Sequence, residues 1–172
     1  FVMVSTLHQL LDTLPQVGQV EWIGIRPALR APMISVESVR ASPDSGLDGD
    51  RYSGKTGRRH VTLLQAEHLA VVGSCLDRDG ITPEALRRNL VVRGINLLAL
   101  KNRDIIVGSA ILQVTGLCQP CSRMETILGP GGYNAMRGHG GITARVITAG
   151  GIAIGDKLSV AAPLQSFSRT SQ

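Results

Sequence analysis

The sequence predicts a mainly β protein: a closed or partly open antiparallel β-barrel carrying a few short helices. Three observations point there. Short β-branched runs recur along the chain and are broken by glycine, of which there are 20 in 172 residues. Few stretches hold a helical period for long. Strands and helices do not alternate in the way that builds a doubly wound parallel sheet, and no internal repeat stands out. Closing such strands into a barrel removes their exposed edges.

The elements follow in order. Leu7, Leu10, Leu11 and Leu14 fall at helical spacing ahead of Pro15. They predict a short amphipathic helix in an N-terminal extension over residues 1–18. The barrel is expected over 19–162, with a loose polar tail over 163–172. "QVEWIGIRPAL" (19–29) and "PMISVESVRA" (32–41) read as strands, and so does "HVTLL" (60–64). "QAEHLAVVG" predicts a short helix closed by Gly73. "ITPEALRRN" predicts another, with Thr82 as N-cap and Pro83 in its first turn. "LVVRGI", "DIIVGSA", "ILQVTG", "ITARVITAG" and "DKLSVAAP" are further strands. "SRMETILG" (122–129) reads as a short helix. "GPGGYNAMRGHGG" (129–141) reads as a glycine-rich loop, without the Lys-Ser/Thr ending of a P-loop.

Composition narrows the function. The 172 residues suit one domain with a real core, 43% hydrophobic and 18% charged. No apolar run has the length of a membrane span, so no membrane partner is expected. The N-terminus lacks a basic start and a small-residue cleavage site, which points to a cytoplasmic protein. Three cysteines fit no disulfide framework. A net charge of +5 favours anionic partners. Aromatics at 3% leave almost no stacking platform for single-stranded nucleic acid, so a small phosphate-bearing ligand is the better expectation.

Four stretches carry candidate chemistry. "TGLCQPCSRME" holds Cys118 and Cys121, with Pro120 between them. A thiol is a nucleophile or metal ligand as thiolate, and a helix start beside a cation such as Arg123 is a setting that favours this form. The spacing permits a reversible disulfide, and two packed structural cysteines are the bland alternative. Zinc fits less well, because Cys75, His8, His60, His68 and His139 show no finger spacing. "GLDGDRYSGKTGRRHVTLL" (46–64) carries Arg51, Lys55, Arg58, Arg59 and His60 on a mobile glycine-rich loop. Exposed amides beside guanidinium groups suit phosphate, although charge runs are often solvated surface. "LRRNLVVRGI" places Arg87, Arg88 and Asn89 at a helix–strand junction, where they either cap the turn or point donors into a cleft. "YNAMRGHGGITARV" sets His139 among Gly138, Gly140 and Gly141, with Arg145 following, as a loop able to close on a ligand or as a plain hairpin. Together they describe a thiol among basic loops, the surroundings that an anionic cofactor requires.

"GLDGDRYSG", "RRHVTLL", "RRNLVVRGI", "VGSAILQVTGLCQPCSRME" and "GHGGITARVITAGGIAIGD", in that order from about Val20 to Val160, resemble a MOSC domain, the module named after the C-terminal part of molybdenum-cofactor sulfurases. The chain looks like a stand-alone, bacterial-type member. The resemblance implies a MOSC-type β-barrel, and a cysteine after a strand that carries sulfur or ligates molybdenum. The matching position is Cys121, with Cys118 as an accessory thiol. It also implies that basic loops hold the phosphate of the molybdenum cofactor (molybdopterin), with Arg51, Arg88, Asn89 and Arg145 at matching positions. Pyridoxal phosphate is not expected on this chain, so sulfur would come from a partner desulfurase, or electrons from a partner reductase. Three readings result. One is a molybdenum-dependent enzyme reducing small N-hydroxylated substrates or transferring sulfur. Another is a persulfide carrier for metal–sulfur assembly without its own cofactor. The third is a non-enzymatic anion-binding barrel. A monomer or a homodimer is expected.

Overall fold

A computed structural model describes residues 6–52 and 56–162. The expected tail over 163–172 and the candidate Lys55 lie outside the described residues. Seven strands close into a barrel. They are β1 (Gly18–Ile25), β5 (Val61–Gln65), β6 (Leu90–Arg93), β7 (Asp104–Val107), β8 (Ala110–Leu117), β9 (Ile142–Thr148) and β11 (Lys157–Val160). Around the ring the order is β1, β6, β5, β9, β8, β7, β11, and β11 pairs back onto β1 through Gly18↔Leu158. The pairing is antiparallel except for β5 beside β6, where Leu63 faces Leu90 in a parallel register. A parallel pair needs a crossover, and the chain between them supplies two helices, α2 (Glu67–Cys75) and α3 (Pro83–Leu86). A strand β2 (Ile34–Ser35) extends the sheet from β1, and β3 (Ser38–Ser42), β4 (Gly46–Leu47) and β10 (Gly150–Ala153) form a small second sheet.

Side-chain alternation sorts two cores. Leu63, Leu90 and Val92 point into the barrel with Val20, Leu112, Ala144 and Leu158. Leu64 and Val91, one residue along, point outward into a second cluster with Leu86, Met124, Leu128 and Met136. That outer cluster carries α2, α3, α4 (Ser122–Leu128) and α5 (Gly132–Met136). The outward face of β5 therefore lies under a helical layer, where a solvated barrel would show alternating polar residues.

Several expectations change. The extension helix, α1, spans Leu7–Asp12 and is capped by Thr6 and Gln9, but Leu7, Leu10 and Leu11 stay exposed, so its apolar stripe is not buried in this chain. The stretch 19–29 stops being strand at Ile25, and 32–41 splits into β2 and β3. Helix α2 runs past Gly73 to Cys75. The glycine-rich 129–141 is not all loop. Both Glu125 carboxylate oxygens accept amide protons, from Gly131 and Tyr133 at 2.8 Å each, and these bonds start α5 despite its glycines. The 46–52 segment is not a mobile loop: Gly46 belongs to β4, and the Asp50 side chain is 1% exposed.

Candidate functional site

The outer face of β5 carries the buried Thr62 between Arg59 and Leu64. A cavity of about 590 Å³ opens against it. Its walls come from the segment after β1 (Arg26, Leu29, Arg30), from Arg51 and Arg59, and from the α3–β6 junction (Arg87, Arg88). The remaining wall is the end of β8 and the start of α4, with Cys118, Gln119, Pro120, Cys121, Arg123 and Met124. Among the described residues, seven arginines line this space and no carboxylate does.

The floor is a hydrogen-bonded hub. Asp50 accepts two bonds from the Arg26 guanidinium, Nε to Oδ1 at 3.1 Å and Nη2 to Oδ2 at 2.9 Å, and one from the Arg26 amide at 2.7 Å. Burial works to raise the Asp50 carboxyl, but Arg26 and the amides of Arg26 and Tyr52 together hold it below the usual carboxylate range. Asn89 is fully buried beside the pair. Its Nδ2 donates to Gly24 O at 3.1 Å and Asp50 Oδ1 at 3.2 Å. Its Oδ1 accepts from the Thr62 amide and hydroxyl at 3.0 Å each, and from Arg26 Nη2 at 3.2 Å. Every polar atom of the Asn89 side chain is thus engaged by protein. Asn89 builds the floor and does not line the cavity.

Arg87 takes a left-handed conformation, φ 58°, and consecutive guanidiniums diverge. Arg87 Nη1 donates to Ala31 O at 2.8 Å, toward the segment after β1. Arg88 turns inward and is 7% exposed. Its Nε donates to Gly140 O at 2.9 Å and its Nη1 to Leu86 O at 2.8 Å, while its buried Nη2 has no partner. Burial pushes Arg88 below the ordinary arginine range; the Cys118 and Cys121 sulfurs oppose that, and Arg26 and Arg59 add to it. Burial likewise lowers Arg87, with repulsion from Arg123, Arg26 and Arg51 against attraction from Asp50. Both stay charged, since an arginine does not deprotonate in a protein.

The two thiols differ. Cys118 is buried, with Arg59 Nη2 at 3.9 Å from its sulfur, and its amide donates to Gly141 O at 2.8 Å. Cys121 is exposed and is the N-cap residue of α4. Gly140 and Gly141 allow this strand end to approach. A Cβ on Gly140 would lie 2.1 Å from Cys118 O, and one on Gly141, at φ 81°, would lie 1.9 Å from Leu63 O.

Of the residues singled out from sequence, the structure brings Cys118, Cys121, Arg51, Arg59 and Arg88 to one cavity. It places three others elsewhere. His60 is buried against Gly46 and Gly57, its Nδ1 accepts from the Val146 amide at 3.4 Å, and burial and Arg145 lower its pKa. Arg145 is beside it, away from the cavity walls. His139 bonds Ala135 O through Nδ1 at 2.9 Å and meets the edge of His68, ring centroids 5.0 Å apart. Its loop reaches the site through the backbone of Gly140. Sequence reasoning missed Arg26, Asp50 and Thr62, and it left Arg87 open between capping its turn and pointing into a cleft; the structure puts Arg87 on the cavity wall. The available signals were an arginine closing the β1 run and an aspartate inside "LDGDRY". Among the described residues no three of His, Cys, Asp and Glu converge on a metal-sized point, and no helix is long and apolar enough to cross a membrane.

Comparisons follow the same outline. A sequence profile for the MOSC domain matches residues 39–159. No curated protein matches the chain. Among solved structures, the YuaD protein of Bacillus subtilis superposes with a TM-score of 0.74 at 19% identity, covering 86% of this chain and 98% of its own. YiiM of Geobacillus stearothermophilus gives 0.67 at 21% identity, covering 84% and 75%. YiiM of Escherichia coli gives 0.66 at 17%, covering 84% and 70%. At these identities the likeness is one of fold.

Proposed function

This chain belongs to the MOSC domain family, and we propose that it is a molybdenum-cofactor-binding thiol protein that works on small N-hydroxylated substrates at the cavity of Cys121. The family is associated with binding of the molybdenum cofactor. The observation that carries the reading for this chain is the unpartnered Arg88 Nη2, buried in a wall that also holds both thiols. A buried guanidinium donor without an acceptor costs free energy, which an anion would recover.

The residues present fit the group. The cofactor joins a phosphate to a metal that accepts soft sulfur ligands. Arg59 and Arg88, beside the thiols, are the guanidiniums that would hold the phosphate, Arg51 lines the same cavity nearer Arg87, and the exposed Cys121 thiol is the ligand available to the metal. Asn89 and Asp50 act one step behind: they fix Arg26 and the outward face of β5, and so fix the cavity floor. Cys118 lies between Arg59 and the Gly141 backbone, too buried to meet a bulky reagent. When bound, the cofactor would supply two-electron reduction of an N-hydroxylated group, with two protons taken up, water released and the electrons delivered by a separate reductase.

The test is metal analysis of protein made in a host that synthesises the cofactor, with Cys121→Ser beside it. The expected result is near-stoichiometric molybdenum in the parent and little in the variant. Retention in Cys121→Ser would move the metal off the thiol. No molybdenum in either would overturn the reading. A persulfide on Cys121 would then support the carrier alternative, in which the thiolate attacks the outer sulfur of a donor persulfide and the donor thiolate leaves.

A further inference from the structure

The cavity holds more positive charge than the cofactor needs, and its arginines are anchored to two different segments. Arg26 is committed to Asp50, which leaves six of the seven lining arginines without a carboxylate partner among the described residues. A phosphate monoester brings about two negative charges and a thiolate one more. The left-handed turn at Arg87 divides the guanidiniums. Arg88 and Arg59 lie with the thiols. Arg87 and Arg123 lie with the segment after β1, where Arg87 reaches Ala31 O at 2.8 Å and Arg123 Nη2 reaches Arg30 O at 3.5 Å. Arg26 is near enough to act on both Arg87 and Arg88, and its own charge is already paired with Asp50. The outer pair keeps unused donors, among them the buried and unpartnered Arg123 Nε. Leu29, 69% exposed, adds an apolar surface to the same wall.

From this we infer that the site selects a substrate carrying its own anionic group, a carboxylate or a phosphate on a small apolar body, and that Arg87 and Arg123 are the specificity-determining residues that receive it. This rests on the cavity reading above and adds the substrate class. The cofactor's phosphate and the substrate's anion then occupy different guanidiniums, so both are bound at once. Two arginines that repel each other across a partly desolvated wall gain more from an anion than one does alone.

The experiment compares benzamidoxime with 4-carboxybenzamidoxime on the purified, cofactor-loaded protein. Affinity is read by calorimetry and turnover by amidine formation with a reductant. The carboxylated compound is expected to bind about tenfold more tightly or better, the equivalent of one charge-assisted pair. Arg87→Gln and Arg123→Gln should each cut the preference about fivefold, and raising the salt should shrink it. Equal affinities, no binding of the carboxylated compound, or a preference that survives in the double variant would overturn the inference. Loss of molybdenum from either variant would do so too, by assigning these arginines to the cofactor. If the preference holds and neither compound is reduced, the anion-selective wall stands and the reductive reading fails.

Discussion

Replacing Asn89 with alanine separates a floor-building residue from a ligand contact. The side chain is wholly buried and makes five hydrogen bonds, to Gly24 O, Asp50, Arg26 and both the amide and hydroxyl of Thr62. Alanine leaves the Thr62 amide and the Gly24 carbonyl short of a partner inside the sheet. At about 1–3 kcal/mol for each buried group left unsatisfied, the loss should be about 3 kcal/mol. For a domain of this size that lowers Tm by roughly 6–12 °C. The assay is urea unfolding followed by the fluorescence of Trp22, the chain's single tryptophan. Because no Asn89 atom is spare for a ligand, inorganic phosphate should bind the folded variant within about threefold of the parent, less than 1 kcal/mol. Stability within about 0.5 kcal/mol of the parent, together with lost phosphate binding, would refute the reasoning and make Asn89 a ligand contact.

Further outcomes follow from the same geometry. The folded Asp50 carboxyl titrates below its ordinary value, so its contribution is present at neutral pH and is lost as pH falls through the folded pKa. Asp50→Asn should remove that part of the acid limb and cost about 3 kcal/mol at pH 7 by stranding Arg26; parallel stability–pH curves for parent and variant would contradict this. His60 and His68 are both held below 6.5, first by burial, then by Arg145 for His60 and by His139 for His68, with Glu67 opposing at His68. Their neutral forms favour the fold, so stability falls as pH drops below 6.5, and NMR should place both midpoints under that value. A midpoint at 6.5 or above for either would show that its burial is relieved in solution. In native protein an aromatic disulfide reagent should titrate Cys75 and Cys121 quickly and Cys118 after unfolding; three fast thiols would mean that the strand end at Gly141 opens freely.

Local pattern was enough for the barrel. β-branched runs with glycine between them fix a two-residue alternation, and alternation is a property each strand carries by itself. The C-x-x-C after a strand was equally plain, because strand, proline and helix start are adjacent in sequence. Helix α5 was hidden because the bonds that start it come from Glu125, which lies upstream in α4. The apolar stripe of α1 was misleading for the opposite reason: helical spacing reports that a face exists and is silent on what covers it.

The candidate site divides along the same line. From residue type alone, Cys121, Arg51, Arg59 and Arg88 were marked for an anion near a thiol, since few other side chains do that chemistry. Asn89, His60, His139 and Arg145 were marked on equal terms, and nothing in their neighbours could rank them. Tertiary structure separates them by their partners, which are distant in sequence. Asp50 and Thr62 use up Asn89, Val146 and Gly57 enclose His60, and His68 meets His139. It also decided that Arg87 and Arg88, adjacent in the chain, serve different ends of one cavity. A sequence specifies which donors and charges exist; whether each is spent inside the fold or left for a ligand depends on contacts that form when the chain closes.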